Sequence, residues 1–411
     1  MKTYRVRIKI LSPTHIGTGE VYEPTEFFVH SGQKYLGILD FERFVAHFSE
    51  KQLKGFSALC RQGTLESLVK LYKLVDALAI SFLSQGLSDF VKKKVRLSEG
   101  FLTHYNRFKE LTGPKLQKEF NRFTIYRTAA SPNEHVPILP GSAVKGALRT
   151  AVLNKRRRKA RGRSWEDYCD ERGRCDSKKL ESEILEYPRN RFHQDPFRLV
   201  KVSDFRPVGE AKTKILYAVN RKKSGGSALG PYQIFEVIEP GAVFEGEITI
   251  GEVFSVVPQE RRINSPVTFD EIREALQSFY GREMEREHEE VKRIGADFPV
   301  FPDDGFLLRI GRHSGAECVT IEGFRHILIR TRGRNTYEDH ATTLWLASDF
   351  SRPENVSSLV PFGWAVLCEA DNGASSRDFK DRDAESTSVK VNASKLSRNP
   401  RFKVVVKKRS G

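Results

Sequence analysis

Tyr4, Val6, Ile8 and Ile10 alternate strictly with Arg5, Arg7 and Lys9. A period of two puts the apolar side chains on one face and the cations on the other. The chain therefore opens with a half-buried strand whose outer face is basic, and its fold must include a sheet. A loop, SPTHIGTGE (12–20), follows directly. Phe27 to Val29 and Tyr35 to Leu39 flank a Ser31-Gly32 turn and read as a hairpin. Asp40 is placed to cap a helix over 41–48.

Residues 50–130 read mostly as helix, from the spacing of Leu65, Leu68, Leu71, Val75 and Leu78, and as a helical insertion; Lys92, Lys93, Lys94 and Arg96 form a basic cluster within it. PGSAVKGALRTAVL (140–153) reads as a helix with Ser142 at its N-cap and Val144, Ala147, Leu148, Ala151 and Val152 on one face. KRRRKARGR (155–163) carries seven basic residues among nine, and the polar stretch to about residue 194 reads as a mobile loop or long insertion. A strand is expected within 195–205, and a hairpin over 231–250 around Pro240-Gly241. A long charged helix is expected over 268–294. Further strands are expected at the start of 305–317, over 324–331 and 342–348, and from Ala365 to Cys368. Residues 371–411 read as a disordered tail, with Phe402 to Val406 able to add an edge strand.

The length of 411 residues suits two or three domains, or one large domain with insertions. Lys and Arg number 69 against 53 Asp and Glu, a net charge of +16. A protein this basic usually meets a polyanion, and nucleic acid comes first. No apolar run approaches the ~20 residues that span a bilayer, and the basic, alternating start is neither a signal nor a transit peptide. Five cysteines without a CxxC pair support neither a disulfide framework nor a zinc ribbon. The chain reads as cytoplasmic and reduced, with Cys169 and Cys175 a chance pair.

Three glycine-bearing segments could carry chemistry. His15-Ile16-Gly17-Thr18-Gly19 follows a strand; its glycines let backbone N–H groups approach phosphate oxygens, or simply serve a tight turn. In Pro140-Gly141-Ser142-Ala143-Val144-Lys145-Gly146 the start of a helix offers free N–H groups to an anion. Lys145 and Arg149, four apart, can flank one phosphate path there, and Gly146 reads better as a close-packing site. Arg309-Ile310-Gly311-Arg312-His313-Ser314-Gly315 suits contacts to RNA phosphates and sugars, or an ordinary surface loop. Enzymatic candidates are thin. His15 and His313 could act as general base and acid in metal-independent RNA cleavage. Asp195, Asp204, Asp303 and Asp304 show no paired catalytic spacing for a metal.

With these segments in this order, the sequence resembles the RAMP superfamily of CRISPR-associated proteins, and within it the family of fifth Csm subunits, which cap one end of the type III-A effector complex. The opening strand with SPTHIGTGE, then YLGILDFERF, LPGSAVKGALRTAVL, DPFRLVKVSDF, LLRIGRHSGAE and PFGWAVL carry the resemblance, from residue 4 to 368. It implies an α+β fold: an RRM-like, ferredoxin-type βαββαβ core with large helical and basic insertions. In domain terms that means an N-terminal core half over 1–225, a C-terminal half over 226–370 and the tail. It implies contact with the 3′ part of the CRISPR RNA and with the neighbouring RAMP backbone subunit of the Csm complex, no membrane and no cofactor or metal. Whether a host nuclease is a further partner stays open. RNA contact carries over to His15, Gly17, Gly19, Ser142, Lys145, Arg149, Gly311 and Arg312. The early loop offers Glu20, Glu23 and Glu26 where RNA-cleaving backbone subunits carry an aspartate, so the expectation is a non-catalytic subunit. A metal-independent RAMP endoribonuclease maturing CRISPR RNA is the alternative, and a free-standing nucleic-acid-binding protein a third reading.

Overall fold

Apolar alternation does put the first strand at the centre of a sheet. The computed structural model describes residues 1–172, 174–228, 230–253, 261–302, 304–331 and 334–370. The tail from 371, with its strand at 402–406, lies outside the described residues. In β1 (Lys2–Ile10) Val6, Ile8 and Ile10 are fully buried, while Arg5 and Arg7 both reach Glu245 on the other face. β2 (Gly17–Val21) follows the first loop, and β3 (Phe27–His30) and β4 (Tyr35–Leu39) pair as the expected hairpin. Asp40 caps α1 (Phe41–Ala46), accepting from the Arg43 N–H.

The region 50–130 is less helical than expected. It holds α2 (Glu50–Gln62), α3 (Leu65–Ser84), α4 (Glu99–Phe108) and α5 (Gly113–Phe120), but also two strands, β5 (Val91–Leu97) and β6 (Ile125–Thr128). The lysine cluster lies on β5, where Val95 and Leu97 point into the core and Lys94 and Arg96 point out. These strands belong to the second sheet, so the region is woven into the fold.

The basic stretch is also corrected. It continues α6 (Gly141–Arg156) and leads to α7 (Ser177–Ile184), with Ala160, Tyr168, Leu180 and Ile184 in the core. Five of its seven charges are paired: Arg156 forks onto Glu271, Lys155, Arg157 and Lys159 meet Glu274, Glu322 and Glu186, and Arg163 lies 4.0 Å from Glu183. Cys169 and Cys175, expected as reduced thiols, form a disulfide across a tight antiparallel bridge.

The remaining elements are β7 (Val200–Val202), β8 (Arg206–Pro207), β9 (Thr213–Lys222), β10 (Gln233–Ile238), β11 (Val243–Ile250) and α8 (Phe269–Arg293). After them come β12 (Phe306–Arg309), β13 (Ile327–Thr331), β14 (Arg334–Glu338), β15 (Thr343–Ser348), β16 (Val360–Pro361) and β17 (Trp364–Glu369). One sheet runs β12-β17-β1-β11-β7, with β8 also on β11, and every neighbour is antiparallel. α6 and α8 cover one face of it: Val144, Leu148, Ile272 and Phe279 share a core with Val6 and Ile8, and the Tyr280 hydroxyl donates to the Ala147 carbonyl. The second sheet runs β2-β6-β10-β9-β5-β4-β3, with β15 on β9 and β16 on β15. Tyr72, Phe101, Tyr105 and Phe108 from α3 and α4 pack on one face of it against Ile215, Tyr217 and Val219. β13 and β14 form a separate two-stranded ribbon.

Residues 231–250 are not a hairpin. β10 pairs with β6 and β9 in the second sheet, whereas β11 pairs with β1 and β7 in the first. Gly241, at φ +90°, turns the chain from one sheet to the other and donates its N–H to the Ile10 carbonyl. Residues before and after 225 contribute strands to both sheets. Among the described residues, no helix is long and apolar enough to cross a membrane.

Candidate nucleic-acid interface

Two of the three glycine segments meet. The Arg312 N–H donates to the His15 carbonyl at 2.8 Å, and Gly363 ties the pair together, donating to the Pro13 carbonyl at 3.0 Å and accepting from the Ile310 N–H at 2.9 Å. Gly311 is required at this junction. It sits at φ +86°, and a Cβ there would lie 2.4 Å from the His15 carbonyl oxygen, closer than any packing allows.

His15 is buried, with its ring stacked on Phe235 at 4.3 Å between centroids. Its Nδ1–H donates to the Glu236 carbonyl at 2.8 Å, which fixes the tautomer and leaves Nε2 an acceptor. That Nε2 has no partner and lies beneath Gly17, where a Cβ would approach it to 3.2 Å. Burial lowers the imidazole's pKa, so the ring is neutral. The Glu236 carboxylate, fully buried, takes the Tyr22 hydroxyl at 2.8 Å, the Thr128 N–H at 3.3 Å and the Lys93 ammonium. It anchors the floor under the first loop.

The exposed Arg312 lays its guanidinium over Tyr126 and Phe235, 5.2 and 5.3 Å from the ring centroids, and pairs with no described carboxylate. His313, at φ +63°, stacks on Trp345 at 4.5 Å and reaches the Gln233 side-chain oxygen at 3.0 Å. Burial, and then the charges of Arg312 and its neighbours, push its pKa down to about 3. The result is a cation held flat on rings with its N–H edge free, beside two neutral imidazoles. Such a group offers donors to a phosphate and a plane to a base.

The second segment is built differently from the expectation. Pro140, not Ser142, precedes the first turn of α6, and the Asp204 carboxylate accepts from the Gly141 N–H at 2.8 Å. Ser142 is exposed in the first turn. Gly141 is the close-packing glycine, since a Cβ would lie 2.3 Å from the Val202 carbonyl oxygen; Gly146 has open space around it. Lys145 is half-buried and makes no ion pair with a described residue. Arg149 is turned onto protein: it binds Glu181 at 2.9 Å and Asp195 at 2.9 Å and lies over Phe197. Gly17 and Gly19 are exposed on β2, Gly19 at φ +87°. Asp195 and Asp204 are thus occupied as a salt-bridge partner and a cap, Asp304 is exposed, and Asp303 lies outside the described residues. Among the described residues, no group of three His, Cys, Asp or Glu side chains is placed to hold a metal.

Sequence reasoning missed Tyr126, Phe235, Trp345 and Glu236. Each belongs to an alternating strand run, but only the pairing of β6, β9, β10 and β15 brings the three rings under the loops.

The model of the RAMP superfamily matches residues 7–296. No curated protein matches the chain. Among solved structures, a chain of the cryo-EM structure of a Csm–crRNA–target RNA ternary complex of a type III-A CRISPR-Cas system is similar at 20% identity and a TM-score of 0.56. The match covers 89% of this chain and 100% of that one, and shows a shared fold. The crystal structure of T. onnurineus Csm5 is similar at 20% identity and a TM-score of 0.47, over 88% of this chain and 99% of that one.

Proposed function

The chain belongs to the RAMP superfamily, and from that premise we propose that it is a non-catalytic RNA-binding subunit of a cytoplasmic type III-A CRISPR (Csm) ribonucleoprotein. In this reading it caps the filament of RAMP backbone subunits near the 3′ part of the CRISPR RNA and supports that RNA's maturation. The observation that carries it is the junction of the 12–19 and 311–315 loops, with the Arg312 guanidinium laid open on Tyr126 and Phe235. His15 and Gly311 shape the junction, Arg312 meets the RNA, and Gly17, Gly19, Ser142 and Lys145 line its path. Arg149 supports that path from behind through Asp195.

The same proposal includes an RRM-like core. β1, α6, β7, β11, α8 and β17 follow one another as βαββαβ, and their strands lie in the order β17-β1-β11-β7, all antiparallel. That is the ferredoxin-type order 4-1-3-2, with β12 added at the edge. On this reading the second sheet and its helices are the large insertion, entering between β1 and α6, again between β7 and β11 and a third time, as β15 and β16, between α8 and β17, and the RNA runs where the two sheets' loops meet.

The nuclease alternative lacks an acid. A neutral, buried His15 and a His313 that protonates only near pH 3 supply no charged imidazole at neutral pH. The test is co-purification of the full chain with a short RNA and basic RAMP partners, together with filter binding of single-stranded RNA. Arg312→Ala is expected to weaken binding about ten- to a hundredfold, the scale of one charge-assisted contact, with the melting transition intact. Wild-type chain that neither binds single-stranded RNA nor co-purifies with it would sink the proposal.

A further inference from the structure

Phe192 is 64% exposed, in a single helical turn (Phe192–Gln194) that no sequence motif explained. It is not a fraying end. After the exposed His193 come Gln194, Asp195, Pro196 and Phe197, all buried, so the ring stands on a fixed base. The exposed Arg198 carries its guanidinium 5.8 Å from the Phe192 ring centroid, and Lys145 of α6 lies within electrostatic reach of Arg198. Arg191 adjoins Phe192 in the chain and is exposed as well. None of these three cations has an ion pair with a described residue, although carboxylates lie close by.

Those carboxylates are already taken. Asp195 accepts from Arg149 and from the Phe197 N–H at 2.8 Å, Glu181 is held by Arg149, and Asp176 by Arg189. The patch therefore joins an exposed aromatic ring, flanked by Arg198, to cations that none of these carboxylates binds directly, Asp195 acting on Lys145 only at a distance. The fold gains little from either beyond the Arg198–Phe192 contact: an exposed ring forfeits its burial, and like charges repel. A flat, apolar surface beside unpaired cations complements a chain of flat rings joined by anions.

We propose that Phe192, Arg198 and Lys145 form a separate stacking subsite for single-stranded RNA, in which one base lies on Phe192 and the adjoining phosphates meet Arg198 and Lys145. The inference rests on the RNA-binding reading above and adds a site to it: Lys145 then serves as the link between the α6 start and a base platform some fifty residues further along the chain.

Titration of the full chain with a labelled oligouridylate at several salt concentrations tests it. Phe192→Ala should weaken binding about five- to a hundredfold and leave the slope of affinity against salt unchanged, because stacking releases no counterions. Phe192→Tyr should restore it. Arg198→Ala should lower that slope by ~0.7. Wild-type chain that binds no RNA removes the parent reading and this one together. Wild-type chain that binds, with Phe192→Ala binding equally well, overturns this subsite alone. Phe192→Ala that binds RNA normally but no longer associates with a RAMP partner subunit marks the patch as a protein contact, and likewise overturns it.

Discussion

His15, His104 and His313 each carry a pKa lowered chiefly by burial, His313 to about 3. The unfolded chain, with histidines near 6.5, binds protons that the folded one excludes. Folded stability from these groups is therefore complete above pH 6.5 and drains as the pH falls toward their folded values. Each such histidine costs on the order of 1 kcal/mol per pH unit over that window. Thermal melts from pH 7 to pH 5 should show a steady fall, and His313→Gln should flatten it; a melting temperature level across that range would contradict the burial of all three. The same neutrality predicts that His15→Ala and His313→Ala leave any RNA cleavage by an assembled complex within a few fold of wild type. A real acid–base group contributes ~10²–10⁴, so rates in the two variants separate the cases cleanly.

At the level of elements, α6 shows what its sequence could and could not convey. Its buried face, Val144, Ala147, Leu148, Ala151 and Val152, follows from helical spacing alone and is buried throughout. Its glycines do not, because their neighbours come from β7 and the turn after it. Gly141→Ala should destabilise the protein by ~1–3 kcal/mol, since the new methyl meets the Val202 and Ser203 carbonyls. Gly146→Ala should stabilise it by ~0.5–1 kcal/mol, having open space and a helical backbone; urea denaturation of both variants gives the signs. The basic run after α6 teaches the same lesson. Its like charges suggested a mobile loop, because the acids that neutralise it, Glu271, Glu274 and Glu322, lie more than a hundred residues away. Trypsin should accordingly spare Lys155 to Lys159 in the free protein, and Glu271→Ala should both cost ~1–3 kcal/mol and expose that run. Glu274→Ala, at a largely exposed position, should do neither to a measurable degree. The turn at Pro240-Gly241 was legible as a turn; that it links two sheets was not, since the partners of β10 and β11 come from distant parts of the chain.

For the whole molecule, the net charge of +16 predicts RNA binding with a steep salt dependence and little sequence preference. Each phosphate neutralised adds ~0.7 to the slope of log affinity against log salt, and a slope near zero in filter binding would deny the charge its role. The topology adds a consequence in time. β17 is a central strand, lying between β1 and β12, and Gly363 and Trp364 at its start hold the 12–15 and 310–312 segments together. On the ribosome, β1 emerges first and β17 last among these strands, a delay of about 20–70 s at ordinary translation rates. For that interval β1 waits with one edge unpaired, β11 reaching only its other edge on the way, and a holding chaperone has reason to attend it. The junction cannot exist until translation has passed residue 369. A chain broken off before β17 would lack the junction altogether, so possession of it certifies that the strand closing the first sheet has been made, and under the RNA-binding proposal only chains that carry β17 can take up RNA.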